Sequence, residues 1–207
     1  MKSTVLLSAW LLALAACQSN PTPPAAKEAA APVAAPNSPA AAESGLETTT
    51  PERIQDSDVT VNGQPNRELT TQALERQLGR PNSVDKGAVE CGGQLDLPAD
   101  APAGDWWLYG KTIYEVNGTH ALLHTFDVTT GQFSGKLGKL TLDQNTTLED
   151  LRRYYPRAAR QAEETNTNRD EQVVNLPFED QGELTDASLN LVFRNGRLQE
   201  VEFFFPC

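Results

Sequence analysis

The chain reads as an α+β fold: two helix-plus-β-hairpin repeats forming one curved antiparallel sheet with helices on one face. Three observations predict it. Two threonine-led stripes share the spacing Thr-x3-Leu-x3-apolar: Thr70, Leu74, Leu78 and Thr147, Leu151, Tyr155. Each is followed by apolar runs flanking an Asn-Gly pair, Asn117-Gly118 and Asn195-Gly196, a strong short-range hairpin signal. The spacing is matched, with 47 positions from Thr70 to Asn117 and 48 from Thr147 to Asn195, as a duplication requires.

The first segment stands outside that fold. Lys2 precedes an apolar stretch, Thr4 to Ala16, that ends in Leu14-Ala15-Ala16-Cys17. The stretch is too short to span a bilayer, which takes roughly 20 apolar residues. A charged start, a short apolar core and small residues before a cut are the layout of a secretory signal, here residues 1–16. Residues 17–57 follow as a tether. Seven of the chain's 14 prolines lie between Pro21 and Pro51, interleaved with alanine and without aromatics. Such a composition cannot bury enough apolar surface to offset its ordering entropy. As a flexible coil it reaches roughly 35 Å on average. Residues 58–207 then make one domain, with repeats over about 58–130 and 131–207.

Within the domain a leading strand is expected near Val59 to Val61, and its counterpart over Leu137 to Leu142. The first helix is capped at Thr70 or Thr71, buries Leu74 and Leu78 on one face, and stops at Gly79 before Pro81. A strand over about Trp106 to Val116 turns at Asn117-Gly118 and returns to about Val128. The second helix starts at Thr146 or Thr147, with Glu149 placed for a capping box on Thr146; Leu148, Leu151 and Tyr155 form its apolar face and Pro156 ends it. A polar insert, Ala162 to Asn175, separates it from Ser188 to Arg194 and the return strand Arg197 to Phe205. Pairing like with like favours a three-residue loop, Arg194 to Gly196, which sets Leu189 opposite Val201 and Ala187 opposite Phe203. Phe203 and Phe205 then point inward and Phe204 outward.

Charge and cysteine content narrow the function. The formal net charge is −11, which disfavours nucleic acid and anionic lipid as partners. With Cys17 at the end of the signal, Cys91 and Cys207 remain, and an exported protein is expected to join them in a disulfide. Closing so long a loop is worth on the order of 4–5 kcal/mol. No C-x-x-C pair occurs, so a redox or metal role is the weaker reading. His120 and His124 fall on one strand about 13 Å apart, too far to share a metal. No nucleophile elbow, phosphate-cradling glycine loop or EF-hand spacing occurs; no catalytic residue, metal or cofactor is assigned, and the chain reads as a non-enzyme. The candidate binding face is the aromatic strand Trp106, Trp107, Tyr109 and Tyr114. Neighbours on a strand point to opposite faces, so one indole is left for a partner, and Trp and Tyr are favoured contact anchors.

Two resemblances add to this. Leu14-Ala15-Ala16-Cys17 resembles the lipobox of bacterial lipoproteins, which implies a diacylated Cys17 at the mature N-terminus. Two or more acyl chains hold a protein to a membrane where one does not. Gln18 after the cysteine implies, by similarity to enteric lipoproteins, an outer-membrane location with the domain facing the periplasm. The helix, Gly79-Arg80-Pro81, Trp107-Leu108-Tyr109 and Phe193-Arg194-Asn195-Gly196-Arg197-Leu198 resemble the small bacterial domains related to the β-lactamase inhibitor protein and to small outer-membrane-assembly lipoproteins. The second half departs from them in having Tyr155-Pro156 where Gly-x-Pro is expected. The expected function is a lipid-anchored envelope protein that binds or scaffolds another protein; the alternatives are an inhibitor or immunity-like protein and a small-ligand carrier.

Overall fold

Alternating apolar residues build most of this protein, as strands with one buried face. The computed structural model describes residues 52–89, 93–98, 100–165 and 170–206. In chain order these form β1 (Val59–Val61), β2 (Gln64–Pro65), β3 (Leu69–Thr70), α1 (Thr71–Leu78), β4 (Ser83–Asp85), β5 (Asp105–Tyr109), β6 (Thr112–Asn117), β7 (His120–Asp127), β8 (Gly135–Leu137), β9 (Leu140–Leu142), α2 (Leu148–Arg152), α3 (Pro156–Thr165), β10 (Glu171–Asp180), β11 (Glu183–Arg194) and β12 (Arg197–Phe204). The strands named here pair antiparallel, in two open sheets.

The large sheet runs β10-β11-β12-β7-β6-β5-β4, and β3 pairs with β7. The small sheet runs β2-β1-β8-β9. One curved sheet was the expectation; instead the leading strands of both halves form this separate layer. Its inward residues Val59, Leu137, Leu140 and Leu142 join a single core with Phe126, Leu189, Leu191, Phe193 and Phe203 of the large sheet. Gly135 permits the close approach, because a Cβ there would stand 2.8 Å from the Thr60 carbonyl and 3.0 Å from Phe126. Leu74 of α1, Leu148 and Leu151 of α2, and Ala158, Ala159 and Ala162 of α3 enter the same core. Each large side chain fully buried there contributes roughly 1.5–3 kcal/mol.

Helix starts follow the capping chemistry. The Thr70 hydroxyl accepts from the Ala73 amide at 3.1 Å, and Gly79 closes α1. In α2 the cap is Thr147, paired with Asp150 in a capping box, and not Thr146 with Glu149. Thr146 instead donates to the Thr141 carbonyl at 2.8 Å. Hydrogen bonds from Thr147 hold the Asp150 carboxyl below its ordinary range. Pro156 does not end the helical region. It opens α3, the first-turn position where its missing N–H costs nothing. The expected insert from Ala162 to Asn175 is therefore the end of α3 and the start of β10, apart from residues 166–169, which lie outside the described set.

The strands are more numerous than expected, and β11 is longer, starting at Glu183 and not at Ser188. The run Trp106 to Val116 is itself a hairpin, β5 and β6, folded at Gly110-Lys111. Leu137 to Leu142 likewise folds at Gly138-Lys139. The β6–β7 loop is Gly118-Thr119, one residue beyond the expected pair. At β11–β12 the loop has two residues, not three: Arg194 pairs with Arg197. Asn195 and Gly196 take φ of 50° and 72°, the type I′ geometry that suits the twist of a hairpin. The register slip sits instead at Gln199, an extra residue in β12, which leaves Leu191 opposite Val201 and Leu189 opposite Phe203. The bulge meets the demand that buried residues face buried residues.

The fold also begins before residue 58. Ile54 is 2 % exposed, and its backbone bonds to Pro177 and Glu179 beside the edge of β10. The Glu52 carboxylate accepts from the amides of Arg157 and Ala158 at the start of α3. Glu52 to Ser57, counted with the tether on composition, thus belong to the domain.

Candidate functional site

The aromatic strand does not present one open face. Trp107 packs on the core and pairs with Tyr114 across the strands. Tyr109 and Tyr114 meet edge-on at 5.9 Å, and the Tyr109 hydroxyl donates to the Gly79 carbonyl at 3.2 Å. Burial, then the nearby Tyr109, pushes the Tyr114 phenol up to about 12. Burial and the charge of Glu75 raise Tyr109 as well.

Trp106 points away from the core side, toward Ala88 and His124. Its indole donates to the Ala88 carbonyl at 3.0 Å, and its ring meets His124 edge-on at 4.7 Å. Beside it Glu115, 1 % exposed, accepts from the amides of Gln94 (2.5 Å) and Leu95 (3.3 Å). Val89 and Leu95 are buried as well. None of the four aromatics is exposed.

The histidines diverge as their strand position implies. His120 pairs with Glu68 at 2.5 Å, whereas His124 contacts the Thr125 hydroxyl at 2.9 Å. Burial lowers the His124 pKa, with Glu202 acting in the opposite sense. Among the described residues no three His, Cys, Asp or Glu converge as a metal site. Cys17, Cys91 and Cys207, the sites expected for the lipid and the disulfide, lie outside the described residues.

An open cavity lies elsewhere, at the end of β10, β11 and β12. Phe178, 6 % exposed, and Ala187, 9 % exposed, are the last core residues of β10 and β11. Phe178 stacks on Phe203 with ring centroids 6.5 Å apart and planes 4° from parallel. Beyond them an open cleft of about 630 Å³ is lined by Phe178, Ala187, Phe205 and Pro206, with Gln55 to Ser57 forming the facing wall. Phe205 is 46 % exposed. The inward position expected for it is not met: Phe205 lies beyond the end of β12 and lines the open cleft.

The rim of this cleft is acidic. Asp56, Glu179, Asp180 and Asp186 all contribute. Arg53 holds Glu179 at 3.3 Å and also donates to the Gly182 carbonyl. Asp56, Asp180 and Asp186 make no ion pair among the described residues. Partial burial holds the Asp56 carboxyl above its ordinary range.

Sequence reasoning missed this site. Its signals were the terminal Phe204-Phe205-Pro206 run and an isolated Phe178 followed by acids. Neither is a motif, and the Gln181-Gly182 turn that brings β10 against β11 went unread. A second, smaller cavity of about 200 Å³ lies among Val61, Leu69, Leu78, Tyr114, Leu123 and Phe133. Among the described residues no helix is long and apolar enough to cross a membrane. No protein-family model matches the chain, and no similar curated protein or solved structure was found.

Proposed function

We propose that this chain is a lipid-anchored envelope protein whose domain is a non-catalytic binding module for another protein, carried on a tether from Cys17. The reading places the anchor in a bacterial membrane, by its lipobox the outer one, with the domain facing the periplasm. One observation carries the binding part: an open cleft of about 630 Å³ with two phenylalanines in its wall. Ligand clefts of roughly 300–1,000 Å³ combine an apolar lining with a few placed polar groups. The described lining residues of this cleft include carboxylates and hydroxyls, groups that can hold the polar atoms of a partner. That range is the one for small-molecule pockets, so the small-ligand-carrier reading shares this cleft; the cavity beside Tyr114, at about 200 Å³, falls below it.

The strand orders support reading the domain as two related halves. The small sheet is symmetric about its β1–β8 pair, and the large sheet about β7–β12 apart from β3 and β4, which have no counterpart in the second half. Both halves contain a leading hairpin, then helix, then three antiparallel strands, the first with β3 and β4 in addition and the second with two helices in place of one. That shared order supports a tandem repeat and the resemblance to the β-lactamase-inhibitor-protein-like domains; fold alone does not transmit function.

The test is affinity purification of the lipidated chain from bacterial membranes after mild cross-linking, with Phe205→Ala and a Trp106/Trp107 double-alanine variant alongside. A near-stoichiometric protein lost with Phe205→Ala supports the cleft. Loss only with the Trp pair, in a variant whose urea midpoint matches the wild type, moves the binding face to the aromatic strand. No specific partner in any sample overturns the binding reading.

A further inference from the structure

We infer that the cleft takes an extended protein segment bearing arginine or lysine beside bulky apolar side chains; this rests on reading the cleft as a binding site. The charge pattern is the first argument. Glu179 has its cation in Arg53, but Asp56, Asp180 and Asp186 have none among the described residues, and all three line one apolar cleft. Carboxylates gathered at one mouth repel each other, and the low-dielectric wall between them concentrates their field. A cation entering there is attracted by all three. An anion or a second acidic surface is repelled, and like-charge contact costs several kcal/mol in specificity.

The second argument is the floor. Phe178, Ala187, Phe205 and Pro206 offer apolar surface and no hydrogen-bonding side chain. A hydrated metal ion or a polyamine leaves that surface wet. A segment alternating cationic and apolar side chains meets both, because neighbours on an extended strand point to opposite sides.

The third argument is how the adjacent chain is held. Ile54 lies parallel beside β10, with its amide on the Pro177 carbonyl and its carbonyl taking the Glu179 amide. The segment then turns into a 3-10 helix, Asp56–Asp58, which with Gln55 contributes to the cleft lining. The one bridge at Ile54 shows that an extended residue is accommodated at this sheet end, the pairing by which a bound segment gains affinity through main-chain bonds and specificity through side-chain pockets.

The test uses the full-length chain in detergent and two short labelled peptides, one alternating arginine and phenylalanine and one alternating glutamate and phenylalanine. The triple variant Asp56→Asn, Asp180→Asn, Asp186→Asn is compared with Glu75→Gln, Asp85→Asn, Asp100→Asn, which changes net charge equally away from the cleft. We expect the basic peptide alone to bind. The rim variant should weaken it about tenfold or more, the distant variant should not, and added salt should weaken wild-type binding more than the rim variant's. Equal weakening by both triple variants overturns the inference, since net charge alone then accounts for it. Equal binding of both peptides, lost with Phe205→Ala, overturns the charge argument while leaving the apolar binding site standing. Displacement of the basic peptide by phenethylamine at equal concentration overturns the choice of a protein segment. Binding of neither peptide overturns the inference; the membrane capture then decides separately whether the cleft binds anything.

Discussion

Replacing Gly93 by alanine should destabilise the chain that Glu115 holds between β4 and β5, and the cause can be isolated with a second substitution. Gly93 has φ of 63°, where a non-glycine residue costs roughly 1–2 kcal/mol. The new Cβ would also stand 2.1 Å from Glu115 Oε1 and 2.4 Å from its Cδ. That carboxylate has nowhere free to go: it is 1 % exposed and takes the Gln94 and Leu95 amides. Moving it forfeits bonds worth roughly 1.5–3 kcal/mol when an acceptor is charged, less for the long one to Leu95. Gly93→Ala should therefore cost about 3–5 kcal/mol, and Glu115→Ala about 3 kcal/mol by leaving two amides without their acceptor.

In the Glu115→Ala background the clash is gone, and Gly93→Ala should cost only the backbone term, about 1–2 kcal/mol. The coupling of about 2 kcal/mol is of the size seen for residues in contact. Urea unfolding measures it as a change in midpoint at constant slope. Because a loop can open without the sheet, exchange of the Gln94 and Leu95 amides supplies the local readout. Additivity of the two substitutions within about 0.5 kcal/mol would refute the claim that Glu115 is the clasp.

Three further outcomes are expected. Burial lowers the His124 pKa, so the unfolded chain binds its proton first; stability should fall as pH drops from about 6.5 through the folded value, and His124→Gln should flatten that slope. Trp106 emission, changing as the ring at 4.7 Å is protonated, should report a midpoint below the ordinary histidine value. Gly135→Ala should cost about 1–3 kcal/mol by overpacking, seen as a lower urea midpoint, because its Cβ would press on the Thr60 carbonyl and Phe126. Cys91 and Cys207 should resist alkylation until reduced, by intact mass, and reduction should lower Tm on the order of 10 °C. The Gln94 side chain, donating to the Phe203 carbonyl at 2.8 Å, already holds the chain after Cys91 near the last strand.

Local chemistry was legible where a residue type dictates it. Thr70, Gly79, Thr147 and the Asn195-Gly196 pair each did what their capping or turn preferences predict. Longer-range features were harder to read. Trp106 to Val116 has unbroken strand composition, and only the Gly110-Lys111 loop divides it. Pro156 is compatible with ending one helix or starting another, and the choice was settled by Ala158, Ala159 and Ala162 finding a core to enter. Pairing of the β11–β12 hairpin was argued from the correct demand, buried against buried, but a bulge at Gln199 satisfies it as well as a longer loop does. The cleft was illegible because it depends on which surface is left uncovered, and no pattern along the chain encodes that.

The two halves end differently, and the cleft is the consequence. In the first half β5 and β6 are 5 and 6 residues long, and Val89, Leu95 and Glu115 are buried there with the chain between β4 and β5. In the second half β10 and β11 are 10 and 12 residues long and run on to the Gln181-Gly182 turn. Core burial stops at Phe178 and Ala187, while Glu179, Asp180 and Asp186 come just beyond. Stability alone would favour a shorter hairpin or an apolar cap, since Leu184 and Phe205 remain 45 % and 46 % exposed. Carboxylates around such a patch keep it from closing on a second copy of the same acidic surface. They leave it open to a basic segment, so the charges that protect the cleft in the free protein are also those that would select its partner.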